Sequence, residues 1–121
     1  MTDHAMLAQR YIDAWNETDP HARRTTIART WTDGGEYRDP MVHSAGHAAI
    51  ESLIAGVQAK FPGFRFRLSG AVDGYADRVR FSWTLAPEGA DPVVEGTDFA
   101  VVAADGRFAA VTGFIDRMPA G

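Results

Sequence analysis

The stretch of sequence best suited to chemistry surrounds an aspartate that precedes a proline, Asp39-Pro40. Proline disfavours the helical region for the residue before it, so Asp39 is expected to be extended. Tyr37 lies two residues earlier and points to the same side of a strand. A carboxylate at a strand end near a pocket mouth can be ionised yet poorly solvated, which is the setting of a general base. An Asp-Pro pair also marks ordinary turns, and that alternative stays open at this point.

Two histidines, His43 and His47, follow four residues apart. Histidines at this spacing can share a metal ion, but no H-E-x-x-H pattern is present, and Gly46 favours a helix boundary between them. We therefore expect no metal, and we consider His43 for the rim of a pocket. No motif supports Ser-His-Asp catalysis, and Gly34-Gly35 is not a phosphate-binding loop.

The 121 residues carry a net charge of −4 and include no cysteine. This length predicts a single domain over residues 1–121, with enough chain for a sizeable core. The acidic balance favours neither nucleic acid nor an anionic membrane surface as a partner. The lack of cysteine excludes disulfides, a thiol nucleophile and cysteine-based metal sites. With no signal peptide and no long apolar run in the sequence, we expect a cytoplasmic protein.

Two helices are expected in the first thirty residues. The first covers residues 3–18, and its apolar residues recur at helical spacing, so Tyr11 is expected to face inward. The second begins at Asp19-Pro20, an N-cap followed by proline at the first helical position, and continues to Thr30. Its three arginines are expected to form a solvated face: Arg23, Arg24 and Arg29.

A third helix and a set of strands follow. Apolar residues at helical spacing from Ile50 to Phe61 predict the helix, with Ser44 as its N-cap and Pro62-Gly63 as its end. Beyond this point the apolar period changes from 3.6 to 2, which predicts strands. Four strands in hairpin order are expected at residues 64–69, 78–85, 93–103 and 108–118, with turns at 70–74, 87–89 and 105–106.

Helices followed by hairpin-connected strands predict an α+β fold, with an antiparallel sheet that carries its helices on one side. Strands of about ten residues are long enough for the twist to curl the sheet. Closing the concave side of such a sheet with helices would leave an internal cavity.

Several short motifs, in their order and spacing, resemble the nuclear transport factor 2-like superfamily, in its ketosteroid isomerase-like and SnoaL-like branch. They span nearly the whole chain: Gln9-Arg10-Tyr11-Ile12, Trp31-Thr32-Asp33, Tyr37-Arg38-Asp39-Pro40, Gly46 before Ala49-Ile50, Gly96-Thr97-Asp98-Phe99 and Asp105-Gly106-Arg107. The resemblance implies a cone-shaped, curved, mixed sheet wrapped around the helices and enclosing a deep apolar pocket. It also implies a homodimer that packs sheet against sheet. Members include isomerases, cyclases, dehydratases, epoxide hydrolases and non-catalytic binding modules, so the fold alone does not decide the activity.

The resemblance further implies three catalytic residues. In ketosteroid isomerase a carboxylate base moves a proton next to a carbonyl, while a tyrosine and a protonated aspartic acid stabilise the enolate oxygen. Residue by residue, the base falls on Asp39, the tyrosine on Tyr11 and the neutral acid on Asp98. Asp98 shares a strand face with apolar residues, where desolvation is expected to raise its pKa. Two alternatives stay open: Tyr11 could be an ordinary core tyrosine, and strand alternation does not say which face is concave.

A group of aromatic residues is expected to line a cavity suited to a flat, apolar, cyclic ligand. The side chains expected to bind the substrate are Trp15, Tyr37, His43, Trp83 and Phe114. The leading hypothesis is a cofactor-free isomerase or lyase, ketosteroid isomerase-like or polyketide cyclase-like. It would move a proton next to the carbonyl of a small apolar compound. One alternative is an epoxide hydrolase-like enzyme, which needs an inward arginine. The other is a non-catalytic, dimeric module that binds a small ligand.

Overall fold

Nine regular elements make up the fold in the computed structural model, which describes residues 2–119. In chain order they are α1 (His4–Asn16), α2 (Pro20–Thr30), β1 (Trp31–Arg38), β2 (His43–Ala45), α3 (His47–Lys60), β3 (Phe64–Tyr75), β4 (Arg78–Pro87), β5 (Val94–Val102) and β6 (Phe108–Arg117). The three helices and the four hairpin-connected strands of the sequence prediction are all present, and the predicted α+β class is confirmed.

The first two helices begin at aspartate caps. The Asp3 carboxylate accepts a hydrogen bond from the Met6 amide at 3.0 Å, and the Asp19 carboxylate accepts one from the Ala22 amide at 2.8 Å. Each bond satisfies one of the amides that a helix N-terminus leaves without a partner. Pro20 occupies the start of α2, as the sequence predicts.

The third helix begins at a glycine rather than at the predicted serine. Its N-cap is Gly46, with φ at +86°, a region that glycine enters without steric cost. The prediction of Ser44 as N-cap is wrong because Ser44 lies in β2, where it pairs with Tyr37 of β1.

A six-stranded sheet, in the order β2-β1-β6-β5-β4-β3, curves around α1. All neighbouring strands run antiparallel except β1 and β6, which are parallel, so the sheet is mixed. β1 contains the strand end expected before Asp39, and β2 is a strand in addition to the predicted ones. Gly34 and Gly35 interrupt the pairing of β1 with β6 but do not end the strand, since the pairing resumes at Glu36.

The turn predicted at residues 70–74 is wrong. β3 continues to Tyr75, and its pairing with β4 shifts register between Ser69 and Asp73. Gly70, with φ at +77°, lies in this irregularity. Glycine-rich stretches inside a strand pattern serve bulges as well as turns. The chain reverses instead at Ala76, which has a positive φ of 49°.

The expectation that Arg23 lies on a solvated face is also wrong. Arg23 is 5% exposed, and its guanidinium donates to both Glu51 oxygens of α3, at 2.7 and 3.1 Å. It also donates to Gln58 Oε1 at 2.7 Å and to the carbonyl of Glu17. This planar fork fastens α2 to α3 and to the end of α1, a role that arginine geometry suits.

One face of the sheet packs against α1, and the other is open. β4 and β5 alternate strictly, so that their inner residues are buried in the core. On the outer face Phe99 and Phe114 remain exposed. The concave, core-facing side is therefore the side that carries Asp98. Within residues 2–119, no helix has the length and hydropathy needed to span a membrane.

Candidate active site

A cavity of about 90 Å³ lies between α1, α3 and the concave face of the sheet. Most of its wall is apolar, with Leu53, Val57 and Phe61 contributed by α3. The side chains that bring polar atoms to the wall are Tyr11, Trp15, Tyr37, Asp39, Trp83 and Asp98. A concave apolar space with a few converging polar groups is the usual form of a small-molecule site.

The first polar group of the cavity is a buried carboxyl with two donors. Asp98 sits in the middle of β5 and is 1% exposed. The Tyr11 hydroxyl donates to its Oδ2 at 2.5 Å, and Trp83 Nε1 donates to its Oδ1 at 3.0 Å. Three elements, α1, β4 and β5, therefore meet at this carboxyl.

Burial decides the protonation of this group. Desolvation raises the pKa of Asp98 to about 6, against the opposing effect of the hydrogen bonds from Tyr11 and Trp83. The negative charge of Asp39 raises the pKa further. Burial also raises the pKa of Tyr11 well above its ordinary value of 10, with the nearby Asp98 charge acting in the same direction. Tyr11 therefore keeps its proton, and Asp98 changes protonation at about pH 6.

The second polar group is a carboxylate at the cavity wall beside the exposed Met41. Asp39 is half-buried, and its Oδ1 accepts hydrogen bonds from the amides of Met41 and Val42 at 2.8 and 3.0 Å. Its Oδ2 accepts one from the Tyr37 hydroxyl at 2.8 Å. The Asp39 amide in turn donates to the Val42 carbonyl at 3.0 Å. Asp39-Pro40 thus forms a turn and also presents a carboxylate to the cavity, so the two interpretations of this pair are compatible.

Tyr37 keeps its proton as well. Its side chain is 4% exposed, and burial raises its pKa far above 10, followed by the effects of the Asp98 charge and the hydrogen bond to Asp39. The cavity therefore contains two tyrosine–carboxyl pairs, Tyr11 with Asp98 and Tyr37 with Asp39. One carboxyl is buried, and the other is half-buried and held by three donors.

The structure brings six of the eight predicted site residues to this one cavity. They are the three expected catalytic residues Tyr11, Asp39 and Asp98, together with Trp15, Tyr37 and Trp83. Lining a cavity is a statement of position, and the catalytic roles stay predictions.

The other two predicted residues do not line the cavity. His43 lies on the short edge strand β2 with its side chain 46% exposed, and its Nε2 contacts Glu36 Oε1 at 2.7 Å. Phe114 is 58% exposed on the outer face of the sheet, because its neighbours in β6, Gly113 and Ile115, occupy the inward positions. Placing either residue in the pocket was wrong.

The sequence did not predict which residues form the apolar walls of the cavity or its open end. Leu53 and Val57 belong to the apolar stripe of α3, but periodicity does not separate residues that pack in a core from residues that border a cavity. Met41 and Met118 line the cavity while 63% and 46% exposed, so they mark its open end. No pattern in the sequence indicates a role for either methionine.

The geometry favours neither a metal site nor an epoxide hydrolase-like site. Within residues 2–119, no three histidine, aspartate or glutamate side chains approach one another closely enough to hold a metal ion. His47 Nε2 instead contacts the carbonyl of Trp31 at 2.9 Å. No arginine is among the described residues that line the cavity, so an epoxide hydrolase-like site lacks its inward arginine.

A curved mixed sheet wrapped around helices, with an apolar cavity inside, defines the nuclear transport factor 2-like class, and comparisons with known proteins agree. The family model of the SnoaL-like domain matches residues 8–111, and the chain belongs to this family. A candidate isomerase of the SnoaL-like family from Agrobacterium tumefaciens has a structure that superposes with a TM-score of 0.90 at 40% identity. The match covers 96% of this chain and 99% of that one. The predicted superfamily and cone fold are thus confirmed.

More distant structures agree in fold. A candidate SnoaL-like polyketide cyclase from Jannaschia is 17% identical, with a TM-score of 0.71 over 93% of this chain and 85% of that one. A candidate polyketide cyclase from Sinorhizobium meliloti is 18% identical, with a TM-score of 0.68 over 88% and 92% of the two chains. Identities this low show the fold alone. Among curated proteins, no sequence matches this chain.

Proposed function

We propose that the protein is a cofactor-free isomerase or cyclase that moves a proton on the carbon next to a carbonyl of a small apolar cyclic compound. One observation carries the proposal. Tyr11, Asp39 and Asp98 are far apart in the sequence, yet all three line a single apolar cavity. Their two carboxyl groups lie in different surroundings, which is the condition for one to act as acid and the other as base.

The buried pair is suited to stabilising negative charge on oxygen. Asp98, when neutral, can donate its proton in a hydrogen bond to the developing enolate oxygen of a substrate. The Tyr11 hydroxyl stands beside it at 2.5 Å and keeps its own proton. Donors fixed in a dry cavity stabilise an oxyanion more strongly than donors in water.

Asp39 is suited to the role of base. Only donors surround its carboxylate, and this is the set that an ionised carboxylate accepts. Its Oδ2 accepts a single hydrogen bond, from Tyr37, and has lone-pair capacity left for a substrate proton. Asp39 would take the proton from the carbon, and the bonding electrons would move onto the carbonyl oxygen. Return of the proton at another carbon gives an isomer, and attack of the enolate carbon on a second carbonyl closes a ring.

The size of the cavity favours a compact substrate. Its volume of about 90 Å³ is well below the roughly 300–1,000 Å³ of pockets that enclose drug-sized ligands. A single ring with short substituents is therefore a better match than a fused four-ring steroid. The name of the 40% identical relative, a candidate isomerase, supports the same reaction class.

The test is exchange of carbon-bound hydrogen in heavy water, followed by NMR on a panel of monocyclic enones and ketones. The native protein should accelerate exchange next to the carbonyl, and Asp39→Asn should slow it by at least about 100-fold, the usual contribution of a positioned base. Asp91→Asn, an exposed aspartate before β5, is the matched control and should exchange at the native rate.

Two other outcomes would decide against the proposal. Exchange that is unchanged in Asp39→Asn would remove Asp39 as the base. Saturable binding of panel compounds without any exchange would favour the alternative of a non-catalytic ligand-binding module.

We also propose that two copies of the chain associate through the outer face of the sheet. Phe99 and Phe114 are exposed there, at 38% and 58%, on neighbouring strands. Exposed aromatic side chains that cluster on one face are a common mark of an interface. The cavity lies on the opposite side of the sheet, so this association would leave it accessible.

A further inference from the structure

Gly113 of β6 lies where the two tyrosine–carboxyl pairs approach each other. It faces Asp98 across the β5–β6 ladder. A Cβ at this glycine would lie 2.9 Å from Asp98 Oδ1, 3.2 Å from the Tyr37 hydroxyl and 3.5 Å from Asp39 Cβ. The three groups therefore surround one point, and Asp98 Oδ1 and the Tyr37 oxygen lie within about 6 Å of each other.

This position needs glycine for space and not for its backbone. Gly113 is not among the residues with a positive φ, so alanine could adopt its conformation. The obstacle is the contact at 2.9 Å with Asp98, whose carboxyl cannot move away freely. Tyr11 holds one of its oxygens, and Trp83 holds the other. A methyl group at this position would fit only if the Tyr11–Asp98 pair and the Tyr37–Asp39 pair moved apart.

We propose that Gly113 is a positioning residue that joins the Tyr11–Asp98 and Tyr37–Asp39 pairs into one electrostatically coupled unit. The charge on Asp39 then controls how readily Asp98 gives up its proton. Like charges at short distance in a poorly solvated site raise the cost of ionising both groups.

The coupling has a consequence for catalysis, and here the inference rests on the proposed function. When Asp39 takes a proton from the substrate, its negative charge disappears. Asp98 then becomes a stronger acid at the moment when the substrate oxygen gains negative charge. A donor that strengthens only as the reaction proceeds stabilises the transition state more than the bound substrate, which is how binding interactions raise a rate.

Few groups other than Asp39 can change the pKa of Asp98 through their charge. The groups that face the Asp98 carboxyl from the elements packed around it are Tyr11 on α1, Trp83 on β4, Tyr37 on β1 and Asp39 after β1. Asp116 of β6 lies on the outer face, where it accepts from Thr97 Oγ1, and acts on Asp98 through its charge. The raised pKa values of the two tyrosines keep them neutral, and tryptophan does not titrate. Asp39 and the exposed Asp116 are therefore the neighbours whose charge acts on Asp98.

The experiment is a pH titration of the Asp98 carboxyl carbon by NMR in the full chain, which needs no substrate. Asp39→Asn should lower the midpoint of Asp98 by about half a pH unit or more, since it removes a like charge. Asp116→Asn is the matched control for the loss of one charge, and its effect should be smaller. In a Gly113→Ala background, the effect of Asp39→Asn should be smaller, because the methyl group moves the two carboxyl groups apart. Gly56→Ala, where a Cβ would meet nothing within 4 Å, should leave the effect intact.

An Asp98 midpoint that Asp39→Asn leaves unchanged would overturn the proposal, and so would an equal effect in the Gly113→Ala background. Should Gly113→Ala fail to fold, the same comparison is made between Trp83→Phe and Trp83→Phe/Gly113→Ala, in which the donor that holds Asp98 Oδ1 is gone and this oxygen can move aside. The effect of Asp39→Asn should again be smaller with alanine at position 113, and an equal effect would reject the role of Gly113. Coupling without hydrogen exchange would reject the proposed function alone.

Discussion

Replacing Asp98 with asparagine should make the protein more stable at neutral pH, because it removes a carboxylate that burial disfavours. Burial raises the pKa of Asp98 to about 6, compared with 3.8 for an unperturbed aspartate. Between these two values the folded state holds the proton more tightly than the unfolded chain, so stability falls as pH rises through this window. A shift of about two pKa units, at about 1.36 kcal/mol each, lowers the free energy of unfolding of the native protein by about 3 kcal/mol. This loss is complete above about pH 6.

Asparagine keeps the size of the side chain and can satisfy the same neighbours. Its oxygen can accept from Trp83 Nε1, and its amide can donate to the Tyr11 oxygen. Asp98→Asn should therefore match the native protein near pH 4 and exceed its free energy of unfolding by about 1–3 kcal/mol at pH 7–8. It should lose the proposed activity at the same time, a common exchange of function for stability.

Urea unfolding at intervals from pH 4 to 8, followed by tryptophan fluorescence, measures this difference. The difference between the two curves of unfolding free energy against pH removes the contribution of the carboxyl groups that both proteins contain. Asp91→Asn provides the control of an exposed aspartate and should change the free energy of unfolding by less than about 0.5 kcal/mol. A lower free energy of unfolding for Asp98→Asn than for the native protein at pH 8 would refute this prediction. A difference in stability that is the same at every pH would refute it as well.

Two further predictions concern the scaffold. Arg23→Ala should lower the free energy of unfolding by about 2–3 kcal/mol, because Glu51 loses its bidentate partner in a mostly buried place. The neighbouring Arg24→Ala, whose side chain is 61% exposed, should cost less than about 0.5 kcal/mol, and equal losses in urea unfolding would contradict this assignment. Phe114→Ser should shift the protein towards the monomer in light scattering, whereas Met6→Ser on α1 should not. A mass unaffected by Phe114→Ser would count against the proposed sheet-to-sheet association.

Much of the fold could be predicted because its signals are local. The helices have amphipathic periods and aspartate caps, and these fix their ends without knowledge of the partners. The alternation of β5 placed Asp98 on the same face as its buried neighbours, and the stripe of α1 turned Tyr11 inward. Both positions follow from periodicity alone, and both hold in the structure.

The parts that failed depend on contacts between distant residues. An extended segment before Asp39 was expected, but its parallel pairing with β6, about 75 residues later, was not, because no local pattern indicates that pairing. Arg23 is buried because Glu51 of α3 is close enough to hold it. In the segment 70–74, glycines predict a turn and a bulge equally well, and the neighbouring strand decides between them.

In the candidate site, too, local signals could be predicted from the sequence and contacts between distant residues could not. Six residues could be chosen from residue type, spacing and resemblance, but which sheet face is concave depends on where the helices pack. Phe114 was assigned to the pocket because aromatic residues suit one, yet the alternation of β6 turns it outward. The close approach at Gly113 could not be predicted from the sequence, because Asp98 and the Tyr37–Asp39 segment are about 60 residues apart and meet only in the folded chain.

The most direct test of the proposed chemistry is the pH dependence of kcat/KM for hydrogen exchange on the best compound of the panel. Asp98 must be protonated in the free enzyme to act as the neutral acid, so kcat/KM should fall as pH rises through about 6, the pKa of that carboxyl. A value of kcat/KM that stays level or increases from pH 5 to 8 would contradict the assignment of Asp98 as the neutral acid.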